Sequence, residues 1–210
     1  MIQHLFNRPH MIRRLFALVL STCLMGMGVA IFNQLGFGTD PCSVMNLAIS
    51  RLIGWSFGNW QLTMNLILLG VLIALGELKR IGLGSIANMV VVGYAADAST
   101  WLLNHIHPLT GEPLLVKLIV FVPTMLMFLI AVAFYMVVDL GIAPYDAIPM
   151  VIADRQRRFP FSVIRMMWDL SILTLGFLCG GVVGLVTLVT GFCLGPLYGA
   201  IANRIRPLFE

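Results

Sequence analysis

Six stretches of this chain, near residues 15–34, 57–77, 84–104, 115–138, 162–181 and 184–203, run for about 20 residues with very few charged positions. That is the length an α-helix needs to cross the hydrocarbon core of a bilayer. Lipid offers a backbone amide no hydrogen-bond partner, so segments of this kind are helices that satisfy their own peptide groups. They occupy most of the 210 residues, leaving short connections and no separate catalytic domain in water. Composition agrees: 60% of residues are hydrophobic and 10% charged, against about 25% charged in soluble chains, and mean hydropathy is +0.97. The expected fold is an all-α polytopic membrane protein, one membrane domain over residues 1–210.

The net charge of +4 comes from bases gathered at segment ends, which reads as a topology signal and implies no nucleic-acid partner. With a cytoplasmic N-terminus, six crossings put Arg8, Arg13, Arg14, Lys79, Arg80, Arg155, Arg157, Arg158, Arg204 and Arg206 inside, and only Arg51 and Lys117 outside. Two shorter apolar segments, 41–53 and 146–154, are too short for an ordinary crossing and are read as re-entrant or half-helix pieces. Counting them as spans gives an eight-crossing alternative that moves Lys79 and Arg80 outside. Both versions leave the two termini cytoplasmic and set Trp55, Trp60 and Trp101 near the outer interface. Arg13-Arg14-Leu15-Phe16 and Leu20-Ser21-Thr22-Cys23 imitate a twin-arginine signal and a lipobox, but no small-x-small cleavage site follows and five spans come after them, so the first helix is a retained signal anchor. Cys23, Cys42, Cys179 and Cys193 form no Cys-x-x-Cys pair and read as packed thiols.

The chain also repeats itself. Leu35-Gly36-Phe37-Gly38-Thr39-Asp40-Pro41-Cys42-Ser43-Val44-Met45 is answered by Leu140-Gly141-Ile142-Ala143-Pro144-Tyr145-Asp146-Ala147-Ile148. Further on, Phe57 answers Phe161, Asn65 answers Asp169, Gly82-Leu83-Gly84-Ser85 answers Gly184-Leu185-Val186-Thr187, and Gly93 answers Gly195, with offsets of 102 to 104. The ordered matches give repeat 1 at about 14–104 and repeat 2 at about 115–204. Three crossings per repeat is an odd number, so the second copy is expected upside down relative to the first, the arrangement of secondary transporters with midplane sites.

In each motif the residues have a mechanical use. Asp40 is a good N-cap, Pro41 and Pro144 suit the first helical position, and Ser43 and Asp146 fall at third positions from which they can accept from free backbone N–H groups. Helix N-termini favour an anion while Asp40 and Asp146 favour a cation or proton, so the sign of a substrate stays open; capping alone is the simpler alternative. Within the spans, Asn65, Asn88, Asp97, Arg165 and Asp169 are polar, at roughly 3 kcal/mol for a central charge. Arg165 and Asp169, four apart, are read as neutralising each other. Asp97 has no neighbour in sequence to pair with and is the coupling-carboxylate candidate, unless it sits solvated near the outer interface. The substrate or ion site expected is therefore Asp40, Pro41, Cys42, Ser43, Asn65, Asp97, Pro144, Tyr145, Asp146 and Asp169. Gly191, Gly195 and Gly199 give a flat packing face. His105 and His107 lack a third ligand, so no metal site, no cofactor and no catalytic residue is expected.

Leu-Gly-Phe-Gly-Thr-Asp-Pro-Cys-Ser-Val-Met-Asn-Leu at 35–47, Ser-Phe-Gly-Asn-Trp-Gln-Leu at 56–62 and Gly-Leu-Gly-Ser-Ile-Ala-Asn at 82–88 resemble the YczE/YyaS family of bacterial integral membrane proteins over nearly the whole chain. Members often carry Trp where this chain has Cys42, while Tyr145 keeps an aromatic in the second motif. The resemblance implies a bacterial inner-membrane protein and supplies no mechanism. The repeat points to a small secondary transporter, proton- or cation-coupled, for an unidentified solute or ion, with the lipid bilayer as its surroundings and a homodimer compatible with the reading. Two alternatives stand beside it: a non-transporting substrate-binding or assembly subunit of a larger complex, for which the missing Gly-x-x-x-x-Gly-Lys-Ser/Thr leaves energy to a partner, and, more remotely, an intramembrane aspartyl protease using Asp40 and Asp146.

Overall fold

The computed structural model describes residues 10–156, 158–191 and 204–205, and every regular element among them is helical. Five helices are long and apolar enough to cross a membrane: α1 (Met11–Leu35), α3 (Phe57–Ala74), α4 (Leu83–Ile106), α5 (Leu114–Val138) and α7 (Phe161–Leu178). The two short segments are helices as well, α2 (Pro41–Ile53) and α6 (Pro144–Gln156). At 1.5 Å per residue each is about 20 Å long, two-thirds of a hydrocarbon core. Of the sixth expected span, 185–191 is helical and the remainder, with Cys193, Gly195 and Gly199, lies outside the described residues.

Local chemistry sets the helix ends. Gly36 ends α1 at φ 73°. Asp40 then opens α2: its Oδ2 accepts the Ser43 N–H at 3.1 Å, and Pro41 takes the first helical position, as the motif predicts. Gly54, at φ 70°, closes α2, with the Trp55 N–H returned to the Ser50 carbonyl at 2.9 Å, the six-to-one bond of a Schellman stop. α1 packs on α4 through Gly26 and on α5 through Gly28, where a Cβ would collide with the Val92 carbonyl and the Phe128 ring respectively. Phe32 and Phe128 meet edge to face at 5.6 Å inside the largest apolar cluster.

Both short helices have their C-terminal ends tied to a neighbouring connection. Arg51, in the last turn of α2, donates to Asn33 near the end of α1 at 2.6 Å. Arg80 receives the Ile142 N–H on its carbonyl at 3.1 Å and pairs through its guanidinium with Asp154, while Arg155 donates to the Leu75 carbonyl at 2.8 Å. The chain before α6 and the last turn of α6 are thus fastened to one connection, residues 75–82.

The segments before α2 and before α6 make matching contacts. The Gly84 N–H donates to the Leu140 carbonyl at 2.8 Å, and the Val186 N–H to the Phe37 carbonyl at 3.0 Å. Ser85 Oγ accepts the Gly82 N–H at 3.0 Å, and Thr187 Oγ1 accepts the Gly184 N–H at 3.2 Å. Glycine is required where these backbones cross: a Cβ on Gly82 would strike the Leu140 carbonyl, and one on Gly184 the Phe37 carbonyl. Gly82→Ala is therefore expected to lower stability by about 1–3 kcal/mol through overpacking. Gly70→Ala, in open space on α3, is expected to leave stability unchanged or raise it by up to about 1 kcal/mol. Thermal unfolding of the two detergent-solubilised variants beside wild type checks both.

Candidate functional site

The first turns of α2 and α6 face a common cavity of about 220 Å³. Asp40, Pro41, Cys42 and Ser43 line it from one motif, Tyr145 and Asp146 from the other, Asn65 from α3, and Asp169 from α7. Pro144 is the buried first residue of α6 and shapes the turn without lining the cavity. The rest of the wall is mostly apolar, with Met25 and Val29 of α1 and Phe128 and Val132 of α5. A short π-helical stretch, Asn88–Val92, interrupts α4 at the cavity. Such single-turn widenings shift the backbone register, and here the Gln61 amide donates to the Asn88 carbonyl at 3.4 Å.

Its charged wall is built around Arg165. Nη1 contacts Asp146 Oδ1 at 2.6 Å and Nε contacts Asp169 Oδ2 at 2.9 Å, so one guanidinium joins α6 to α7. The Tyr145 hydroxyl donates to Asp169 Oδ1 at 2.7 Å, and the Tyr145 ring lies 5.4 Å from the guanidinium carbon, within cation–π range. Trp168 supports that ring at 5.7 Å. The i, i+4 pairing of Arg165 with Asp169 is present as expected, but Arg165 also carries Asp146, which sequence spacing does not reveal. Asp146 therefore faces a cation and does not accept from the backbone, and the Ser43 N–H is the donor in the Asp40 cap.

Among the described residues the Asp40 carboxylate is paired with no cation; its hydrogen bonds come from Ser43, whose N–H lies 3.1 Å from Oδ2. Asn65 is 2% exposed, its amide nitrogen donates to the Gln61 carbonyl at 2.9 Å, and its Oδ1 has no partner among the described residues. When all are ionised, three carboxylates face one guanidinium, leaving two negative charges uncompensated. Asp97 stands apart from the cavity, its Oδ2 accepting the Gly58 N–H at 2.9 Å in the first turn of α3. A helix-end donor, invisible in sequence spacing, gives this carboxylate its partner. Trp60 packs beside the buried cluster of Met45, Met64 and Tyr145, whereas Trp55 and Trp101 are exposed. His107 pairs with Glu112, and His105 contacts the Trp101 carbonyl. Sequence reading missed Gln61 in the wall and the bridging role of Arg165; the price of an arginine within a span was the available signal for the latter.

Residues 12–203 match the model of a family of unknown function, DUF6198, and the chain belongs to that family. It is 28% identical over 192 residues to an uncharacterized protein of Haemophilus influenzae, covering 91% of this chain and 84% of the relative. It is 27% identical over 187 residues to the uncharacterized protein YyaS of Bacillus subtilis, covering 89% of each. These similarities agree with the YyaS-like resemblance of its motifs. No solved structure matches the chain.

Removing Arg165 leaves two facing carboxylates without their cation, so Arg165→Ala is expected to cost about 3 kcal/mol. Combining Arg165→Met with Asp146→Asn and Asp169→Asn removes the charges together and is expected to restore more than half of that loss. Unfolding midpoints of the purified single and triple variants measure the difference.

Proposed function

We propose that this protein is a small secondary transporter of the bacterial inner membrane, built from two inverted repeats that enclose one midplane solute site, with both termini cytoplasmic. The observation that carries the reading is that the two repeated motifs, each a glycine-containing turn leading into a short helix, face the same cavity. Non-helical backbone at membrane depth is tolerated where it lines a cavity or is buried in protein, and in transporter folds discontinuous helices at a repeat interface form the binding site.

The contacts of the segments before the two short helices support the symmetry. Gly84 corresponds to Val186, and counting back from Pro41 and Pro144, with the second motif two residues shorter, Phe37 corresponds to Leu140; the bond from 84 to 140 is then matched by the bond from 186 to 37. A swapped pair of equivalent contacts is what a two-fold relation between halves produces. Fastening both the approach to α6 and its last turn to residues 75–82 supports a re-entrant segment over a crossing. Six crossings then follow, and an odd number per repeat inverts the halves.

In this mechanism the two halves rock about the cavity and expose it to one side at a time. Arg165 keeps Asp146 and Asp169 from repelling each other within a wall of low polarity, while the apolar residues of α1 and α5 exclude bulk water. Cys42, in the cavity wall, reports access. With the other native cysteines replaced by alanine, Cys42 in inside-out and right-side-out vesicles is expected to react with a membrane-impermeant thiol reagent from either side. Reaction from one side only, under every solute condition tried, contradicts alternating access and favours the binding-subunit alternative.

A further inference from the structure

Resting on that site reading, we propose that the cavity binds a small primary ammonium ion, which competes with a proton for Asp40. Two acceptors of the wall, on Asp40 and Asn65, point to this ligand. Asp146 and Asp169 already share Arg165, whereas Asp40 has hydrogen bonds from Ser43 and, among the described residues, no cation. A carboxylate in low-polarity surroundings without a cation holds a proton or acquires a cation. The second is Asn65 Oδ1, an acceptor without a partner among the described residues, on a side chain 2% exposed whose own amide N–H is committed to Gln61. A carboxylate and a lone carbonyl oxygen both ask for N–H donors, which an ammonium group supplies threefold.

The surroundings fix the rest of the ligand. Among the described residues no three His, Cys, Asp or Glu side chains come together to hold a metal ion, so a dehydrated divalent cation lacks its ligands here. Met25, Val29, Phe128 and Val132 suit a short alkyl body. The volume of about 220 Å³ falls below the roughly 300–1,000 Å³ of pockets for drug-sized ligands.

The charge balance is closed. In the proton-loaded state the Asp40 carboxyl O–H is intact. When the ammonium arrives, that bond breaks, the proton leaves to water and the carboxylate pairs with the ammonium, so the net charge of the site is unchanged. Across a membrane this exchanges one proton for one cation. The other titratable groups facing the cavity are Cys42 on α2, Tyr135 on α5, Tyr145 and Asp146 on α6, and Arg165 and Asp169 on α7. The described cavity residues of α1, α3, α4 and 185–191 add none. Asp146 and Asp169 are held by Arg165, which leaves Asp40 as the carboxylate free to exchange.

Protection of Cys42 from alkylation by n-butylammonium, in nanodiscs carrying the full chain with the other native cysteines replaced, tests this directly. Aliphatic ammonium groups titrate near about 10, so the probe stays charged from pH 5.5 to 7.5. Since protons compete, its apparent affinity is expected to rise at least tenfold across that window. Asp40→Asn, which keeps a capping oxygen, is expected to weaken binding at pH 7.5 at least tenfold and to flatten the pH profile. Asn65→Leu is expected to weaken it several-fold while leaving the profile sloped. Binding with a flat profile in wild type, an unchanged profile in Asp40→Asn, or preferential protection by butyrate or n-butanol overturns the ammonium–proton proposal and leaves the solute site standing. Absence of protection by all three probes overturns the ammonium proposal; joined to one-sided labelling of Cys42, it overturns the site reading as well.

Discussion

Buried peptide groups cannot be left unpaired, and before α2 and before α6 this chain breaks its helices at residues that are largely buried. The structure answers with backbone-to-backbone crossings. Phe37 and Leu140, each followed by a glycine and a few residues ahead of a short helix, give their carbonyls to the amides of Val186 and Gly84. Gly82 and Gly184 have no Cβ because another main chain passes through that space. Everything at the cavity depends on these crossings, since they set where α2 and α6 begin and hence where Asp40, Cys42, Tyr145 and Asp146 face. In soluble proteins loops can sit on the surface and exchange bonds with water; here the loops had to be made from glycine and small hydroxyl residues that close their own bonds, as Ser85 and Thr187 do.

Once the loops are fixed, electrostatics decides the character of the cavity. A single guanidinium serves two carboxylates on different helices and also lies against the Tyr145 ring. This arrangement limits the desolvation penalty of three charges in a wall of low polarity because each ion finds an opposite charge and a hydrogen bond. Asp40 and Asn65, which line the same cavity, remain outside that arrangement, and Asn65 Oδ1 has no partner among the described residues. The wall therefore combines two carboxylates gathered on Arg165 with a third, Asp40, that has no cation among the described residues. That asymmetry, more than the number of acids, gives the site its proposed preference for a cation or proton.

Much of this was legible in the sequence where the signal is local. The apolar runs located the five described long helices to within a few residues, and Asp40-Pro41 announced the start of α2 because capping chemistry acts over three or four residues. The repeat of Gly82 to Ser85 in Gly184 to Thr187 identified positions that turn out to bear the chain crossings. What escaped were relations between elements. Asp146 is 19 residues from Arg165 and on another helix, so no spacing rule joins them. Asp97 looked unpartnered because its donor, the Gly58 N–H, belongs to a helix 39 positions away. The packing of Trp60 beside Met45, Met64 and Tyr145 is likewise a contact between elements that spacing does not show. The π-helical turn at Asn88–Val92 has no sequence signature of its own.

The proposed inversion of the two halves turns on which side of the membrane three connections face. Single cysteines at Trp55, Lys79 and Arg158, in a chain lacking its native cysteines, can be placed by a membrane-impermeant thiol reagent applied to intact cells and to inverted vesicles. All three sites are exposed and lie outside the long helices. The account expects position 55 to label from outside, and positions 79 and 158 only from inside. Labelling of position 79 from outside instead would make the repeats parallel and remove the basis for a shared midplane site.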